Sequence, residues 1–229
     1  MTTSPASFAS RDLVARVAHN LTQVHARLAA SGREPSLVRV VAVTKGFGVD
    51  AVRAAAAVGL GAVGENYVDE LCDKRNAALD VDVAWHFLGV LQSNKLARAL
   101  HCADLLCSVA RVKELERIAR DHPGRAIYVH VDFTGAAQRH GAAPDEVTAL
   151  VTRGRALDLD VRGLMTIAPS DPDGARVAFR GLATLADDLG VVERSMGMSD
   201  DLEIAGEFAT TEVRIGRALF GPRGVAGAS

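Results

Sequence analysis

Between residues 37 and 221 the chain alternates short apolar runs with amphipathic stretches, about eight times over, a rhythm that confines it to the α/β class. The run LVRVVAVTKG (37–46) opens the series. It is rich in β-branched residues, long enough for a buried strand and too short for a helix. Continuous apolar runs of this kind suit parallel strands covered on both faces. Further strands are predicted in GAVGEN (61–66), AWHFLGVLQ (84–92), Ala103–Val109, Ala126–Asp132, Val161–Ile167, RSMGMS (194–199) and TEVRIG (211–216). Between them the pattern is helical: Asp50–Val58, Tyr67–Leu79, Asn94–His101, a face of Val112, Leu115 and Ile118, a start at Pro144, and a face of Ala178, Leu182, Leu185 and Leu189. Two compressed helices close the series, Asp201–Ala205 and Arg217–Phe220. Ahead of it, Leu13, Val17, Leu21, Val24 and Leu28 form one face of a helix over about 10–31, with Ser10 as N-cap and Gly32 as stop.

Strand–helix units imply parallel pairing and right-handed crossovers. Eight of them in 229 residues predict an α/β fold, a single (β/α)8 TIM-type barrel with an extra N-terminal helix, covering 1–229 as one domain. A doubly wound sheet is the runner-up, but Thr44-Lys45-Gly46-Phe47-Gly48 is not the glycine-rich loop such folds carry after the first strand.

Charge narrows the partners. Lys and Arg number 26 against 28 Asp and Glu, a net charge of -2, which argues against nucleic acid or an anionic membrane surface. The first residues, MTTSPASFASRDL, show no secretory signal, and the longest apolar run, Ala54–Gly64, is too short to span a bilayer. A cytoplasmic protein is expected. Three cysteines, Cys72, Cys102 and Cys107, with no CxxC pair, speak against a disulfide framework; Cys102 and Cys107 read as buried small hydrophobes.

In a barrel the chemistry gathers at the C-terminal strand ends. Lys45 stands at the first. A lysine ending an apolar strand is partly desolvated, which favours the neutral amine that Schiff-base chemistry needs. On the strand pattern alone, a side chain snorkelling to solvent is the simpler reading. The segments SMGMS (195–199) and RIG (214–216) bring small residues and hydroxyls to the ends of strands seven and eight, where barrels often hold a phosphate. Together they suggest a cofactor bearing an aldehyde and a phosphate. The histidines show no metal-ligand spacing, Met196 and Met198 read as packing, and Asp200 and Asp201 as acids at a helix start.

These residues carry a resemblance. VAVTKG (41–46), GENYVDEL (64–71), WHFLGVLQSNK (85–95), RGLMTI (162–167), SMGMSDDLE (195–203) and VRIGRALFG (213–221) resemble the pyridoxal phosphate homeostasis proteins, relatives of the alanine racemase N-terminal domain. The resemblance implies a barrel binding pyridoxal 5′-phosphate (PLP). It makes Lys45 the Schiff-base lysine, Asn66 a neighbour of the ring, and Ser199, Arg214 and Gly216 part of the phosphate and pyridine surroundings, with Arg214 toward the pyridine nitrogen. Two departures stand out. Thr44-Lys45-Gly46 replaces a common Ser-Lys-Thr, and Ala209-Thr210-Thr211 a common Gly-Ser-Thr, in which Thr210 keeps a hydroxyl for the cofactor.

Three functions compete: a PLP homeostasis protein with little or no turnover, a compact PLP-dependent amino-acid racemase, and a cofactor-free Schiff-base aldolase. A racemase needs acid/base groups on both faces of the cofactor, one of them a tyrosine from a further domain in the alanine racemases. The chain ends at Ser229, and its tyrosines are Tyr67 and the mid-strand Tyr128. Arginine at the pyridine nitrogen also disfavours a protonated, electron-withdrawing ring. The expectation is homeostasis with no catalytic residue and no metal. Expected partners are PLP and apo PLP-dependent enzymes, for a monomer without nucleic acid or membrane.

Overall fold

Eight short, mostly buried strands pair edge to edge in chain order and close on themselves. They are β1 (Arg39–Val43), β2 (Ala62–Glu65), β3 (Ala84–Phe87), β4 (Leu105–Val109), β5 (Ala126–Val131), β6 (Asp160–Thr166), β7 (Glu193–Ser195) and β8 (Glu212–Ile215). All pairs are parallel, and β8 closes on β1 with Arg39 beside Glu212 and Ala42 beside Ile215. The structure is a computed structural model and describes residues 9–135 and 140–222. The reading of the first eight residues as leaderless lies outside the described residues.

The helices are α1 (Arg11–Ala30), α2 (Val49–Ala57), α3 (Val68–Ala77), α4 (Leu96–Cys102), α5 (Val112–Asp121), α6 (Val147–Ala156), α7 (Pro172–Asp188), α8 (Leu202–Glu207) and α9 (Arg217–Phe220). The N-terminal helix begins as its sequence dictates: the Ser10 side chain accepts from the Leu13 N–H, and Gly32 follows its last turn. It buries Val17, Val24 and Leu28 and packs along α9, α8 and α2, with Asn20 donating to the Leu219 carbonyl at 2.7 Å. A one-turn α9 cannot cover its strand pair alone, so α1 supplies the missing apolar face. Pro144 opens a 3-10 turn (Pro144–Glu146) before α6, rather than α6 itself. No helix among the described residues is long and apolar enough to cross a membrane.

Side-chain alternation splits the core. Val40, Ala42, Val63, Trp85 and Phe87 pack outward with the helices, while Leu105, Cys107, Ala126, Tyr128 and Met165 form a smaller cluster inside the barrel. Below that cluster the N-terminal strand ends are polar. Arg39 donates to Glu193 at 2.9 Å and to Glu212 at 3.1 Å, and the Tyr128 hydroxyl meets both carboxylates. Burial, with those carboxylates beside it, pushes the Tyr128 hydroxyl's pKa up. His86 lies 3.6 Å from Glu212, and burial lowers its pKa.

The cysteines depart from expectation. Cys72 of α3 and Cys102 of α4 are joined in a disulfide, their Cα atoms 5.3 Å apart across a sequence separation of 30. Helix packing creates that proximity, and no spacing rule announces it. Both are buried as well, and Cys107 is a free, buried thiol.

Candidate functional site

A cavity of about 280 Å³ opens at the C-terminal strand ends. Val43, Lys45 and Phe47 line it from β1 and its turn, and Asn66 and Leu88 follow β2 and β3. Met165 comes from β6 and Ile167 directly follows it. Met198, Ser199 and Asp200 follow β7, and Arg214, Gly216 and Arg217 belong to β8 and α9. Five of the six residues singled out in the sequence therefore share one cavity: Lys45, Asn66, Ser199, Arg214 and Gly216.

Lys45 occupies the corner of a four-residue turn, Thr44 to Phe47, closed by the Phe47 N–H on the Thr44 carbonyl at 3.0 Å. Its third residue, Gly46, has φ +74°, a conformation that costs glycine little and L-residues more. The turn is tied down on both sides. Lys74 donates to the Thr44 carbonyl at 2.8 Å, and the Gly46 N–H donates to Glu70 at 2.9 Å. Phe47 packs against Phe220 of α9, ring centres 5.2 Å apart.

Arg214 is buried and held on three acceptors. One guanidinium nitrogen donates to the Ser195 carbonyl and hydroxyl, both at 2.8 Å, and the other to the Thr166 carbonyl at 2.7 Å. Ser195 in turn donates to Glu212 at 2.7 Å. Burial lowers the Arg214 pKa, and Glu212 opposes that. A guanidinium so fixed presents a donor face and cannot give up its proton at neutral pH.

Ser199 accepts from the Ala218 N–H at 3.2 Å, joining the loop after β7 to α9. Gly216 allows close approach, since a Cβ there would meet the Val43 carbonyl at 3.1 Å. Hydroxyl and backbone donors beside an amine suit a ligand carrying a phosphate and an aldehyde. The residues fit the group that the sequence suggested.

Thr210 is placed elsewhere. Its buried hydroxyl donates to the Met196 carbonyl at 2.7 Å, at the end of β8 away from the cavity. Sequence reasoning also missed residues that do line the cavity. Met198, read as packing, is one. Asp200, read as a helix-start acid, and Arg217, placed only in a short helix, form an ion pair at the rim. No local signal marks two residues 17 apart as partners. Lys95 is bound to Asp69 at 3.0 Å, away from the cavity. Neither tyrosine lines the cavity: Tyr67 is exposed and Tyr128 lies below it. Among the described residues no group of three or more His, Cys, Asp or Glu is placed to hold a metal ion.

The sequence model of the alanine racemase N-terminal domain matches residues 14–224. The pyridoxal phosphate homeostasis protein of Pseudomonas aeruginosa is 38% identical over 220 residues, spanning 90% of this chain and 96% of the relative. That of Deinococcus radiodurans is 41% identical over 198 residues, 84% and 93% of the two chains. Among solved structures, PipY of Synechococcus elongatus with PLP bound superposes with a TM-score of 0.79 at 30% identity, covering 90% of this chain and all 100% of that one. The alanine racemase of Corynebacterium glutamicum, at 17% identity, shares the fold with a TM-score of 0.72 over 94% of this chain and 64% of its own. The chain belongs to the alanine racemase N-terminal domain family and, within it, to the pyridoxal phosphate homeostasis proteins.

Proposed function

We propose that this chain holds PLP through a Schiff base on Lys45 and serves PLP homeostasis in the cytoplasm, as a monomer, with little or no turnover. The observation that carries the reading is the convergence of Lys45, Arg214, Ser199 and Gly216, from the two strands that close the barrel and the loop after β7, on one cavity. Bound PLP supplies an aldehyde that amines can exchange on, and in enzymes a ring that draws electrons from the substrate. Lys45 provides the anchoring amine. Ser199 and the backbone at Gly216 hold the phosphate, Asn66 flanks the ring, and Arg214 meets the pyridine nitrogen. Thr210 braces the β7–β8 pair instead of touching the ligand. Apo PLP-dependent enzymes are the proposed acceptors.

Low turnover follows from the cavity's own groups. Its titratable side chains among the described residues are Lys45, Asp200, Arg214 and Arg217, and Asp200 is engaged by Arg217. An arginine at the pyridine nitrogen leaves the ring unprotonated, which weakens carbanion stabilisation.

The test is borohydride reduction of the PLP-loaded protein with peptide mapping, alongside Cα deuterium exchange on alanine and serine. The expected result is label on Lys45, absent in Lys45→Ala with far-UV circular dichroism unchanged, and only residual exchange. Label on another lysine removes Lys45. Turnover on the order of ten per second makes the protein a racemase. Reducible sugar-phosphate adducts on Lys45 without PLP make it an aldolase.

A further inference from the structure

The turn that carries Lys45 is held by charges that line no part of the cavity. Glu65, the last residue of β2, is completely buried, and Lys74 of α3 is almost so. The Lys74 ammonium spends its three N–H groups on three acceptors: the Thr44 carbonyl at 2.8 Å, Glu65 Oε1 at 2.6 Å and Glu70 Oε2 at 2.9 Å. Glu65 Oε1 also accepts from the Thr44 hydroxyl at 2.5 Å, and Glu70 Oε2 from the Gly46 N–H at 2.9 Å. The residues on either side of Lys45 are therefore each bonded to this cluster, from the helix face of the sheet.

Stability alone is a poor reason for such an arrangement. A buried ion pair roughly breaks even against apolar residues of the same volume, because desolvation offsets the attraction. What a cluster bonded at the Lys74 ammonium, the Thr44 hydroxyl and the Gly46 N–H does provide is a fixed geometry at the turn, with Glu65 Oε2 left buried and without a partner among the described residues. An amine that must meet an aldehyde at bonding distance needs a fixed starting point, and misplacement by an ångström is costly. We propose that Glu70 and Lys74, organised by Glu65, are positioning residues that hold the Thr44–Phe47 turn so that the Lys45 amine reaches an aldehyde in the cavity. The proposal rests on the reading of Lys45 as the anchoring amine.

Glu70 is the residue to change, because its partly exposed side chain at the start of α3 can be truncated without stranding a charge in the core. Lys74→Met, by contrast, leaves the Glu65 carboxyl buried without its cation, and serves as the harsher second variant. Glu70 makes both of its bonds through one oxygen, so Glu70→Gln keeps both acceptor positions with its amide oxygen, whereas Glu70→Ala loses them. Two quantities are measured on the full chain stripped of PLP: the rate at which added PLP becomes reducible onto Lys45, mapped by peptide mass, and amide hydrogen exchange at Gly46. Glu70→Ala is expected to slow capture at Lys45 about tenfold and to speed Gly46 exchange by a similar factor, as befits the loss of a hydrogen bond to a charged acceptor. Glu70→Gln is expected to restore both to within about threefold of the parent. Unchanged capture at Lys45 in folded Glu70→Ala and Lys74→Met overturns the positioning role while leaving the Lys45 reading intact. Equal loss in the Ala and Gln variants overturns it too, since the acceptor oxygen would then not be what matters. If the parent chain itself takes up no PLP on Lys45, the anchoring reading fails, and this inference with it.

Discussion

Arg214 and Arg217 sit three residues apart and both line the cavity, yet their surroundings separate them. Arg214 is buried, with its donors committed to Ser195 and Thr166; Arg217 is largely exposed and pairs with Asp200 at the rim. A charge-assisted hydrogen bond in a buried site is worth roughly 1.5–3 kcal/mol, about ten- to a hundredfold in affinity, while an exposed pair contributes about 0–1 kcal/mol. Arg214→Ala should therefore weaken PLP retention at least tenfold more than Arg217→Ala, read by equilibrium dialysis. Equal small losses would remove Arg214 from the site. Ala209 offers a second residue-scale test. It ends α8 at φ +56°, with its own N–H on the Gly206 carbonyl and the Thr210 N–H on that of Ala205, a helix ending that glycine usually occupies. Left-handed backbone costs an L-residue roughly 1–2 kcal/mol, and glycine's extra freedom in the unfolded chain takes back about 0.4–1 kcal/mol. Ala209→Gly should stabilise the protein by about 0.5–1 kcal/mol in urea titration. A destabilised variant would mean that the alanine methyl contributes packing that outweighs the strain.

Among the elements, α3 does more than cover the sheet. Through Lys74 and Glu70 it holds the Lys45 turn, and through Cys72 it is stapled to α4. Joining residues separated by 30 positions removes about 3–4 kcal/mol of unfolded-chain entropy in the loop-closure account. Reductant should accordingly lower the urea midpoint of the oxidised parent, and leave a Cys72→Ala, Cys102→Ala double variant unmoved. A parent insensitive to reductant would show that the staple contributes nothing to stability. The buried Cys107 should stay unlabelled by thiol reagents in both proteins, since burial raises its pKa and closes access.

For the whole molecule, closure of the barrel sets a pH dependence. Bringing β8 onto β1 encloses His86 beside Glu212, with Arg39 and Glu193 near, and burial holds its pKa below the ordinary histidine value. The unfolded chain then binds a proton on His86 that the folded one resists. Stability is full above the unfolded value of about 6.5 and falls as the pH drops below it, by up to about 1.4 kcal/mol per pH unit for one group. Carboxylates whose pKa is lowered in the fold, such as Glu203 bonded to Arg27, act in the same direction but only near and below their unfolded values. Thermal unfolding between pH 7 and pH 5 should show a decline in the parent that is flattened in His86→Gln. Parallel slopes in the two proteins would assign the decline to other groups.

Local periodicity was enough to determine the alternating elements, the α1 face and its Ser10 cap, because strand and helix repeats are properties of neighbours within one turn or pleat. Strand order then placed Lys45, Asn66, Ser199, Arg214 and Gly216 at one end of a barrel, since parallel strands all finish on the same side. Thr210 was misplaced because a motif next to a strand does not say at which end of it a side chain acts. Only the tertiary structure decided which distant groups meet: Cys72 with Cys102, Asp200 with Arg217, Arg39 with Glu212, and the Glu65–Lys74–Glu70 cluster beneath the Lys45 turn. Those pairings depend on how helices settle on the sheet and where the barrel closes, and packing of that kind leaves no periodic trace in the chain.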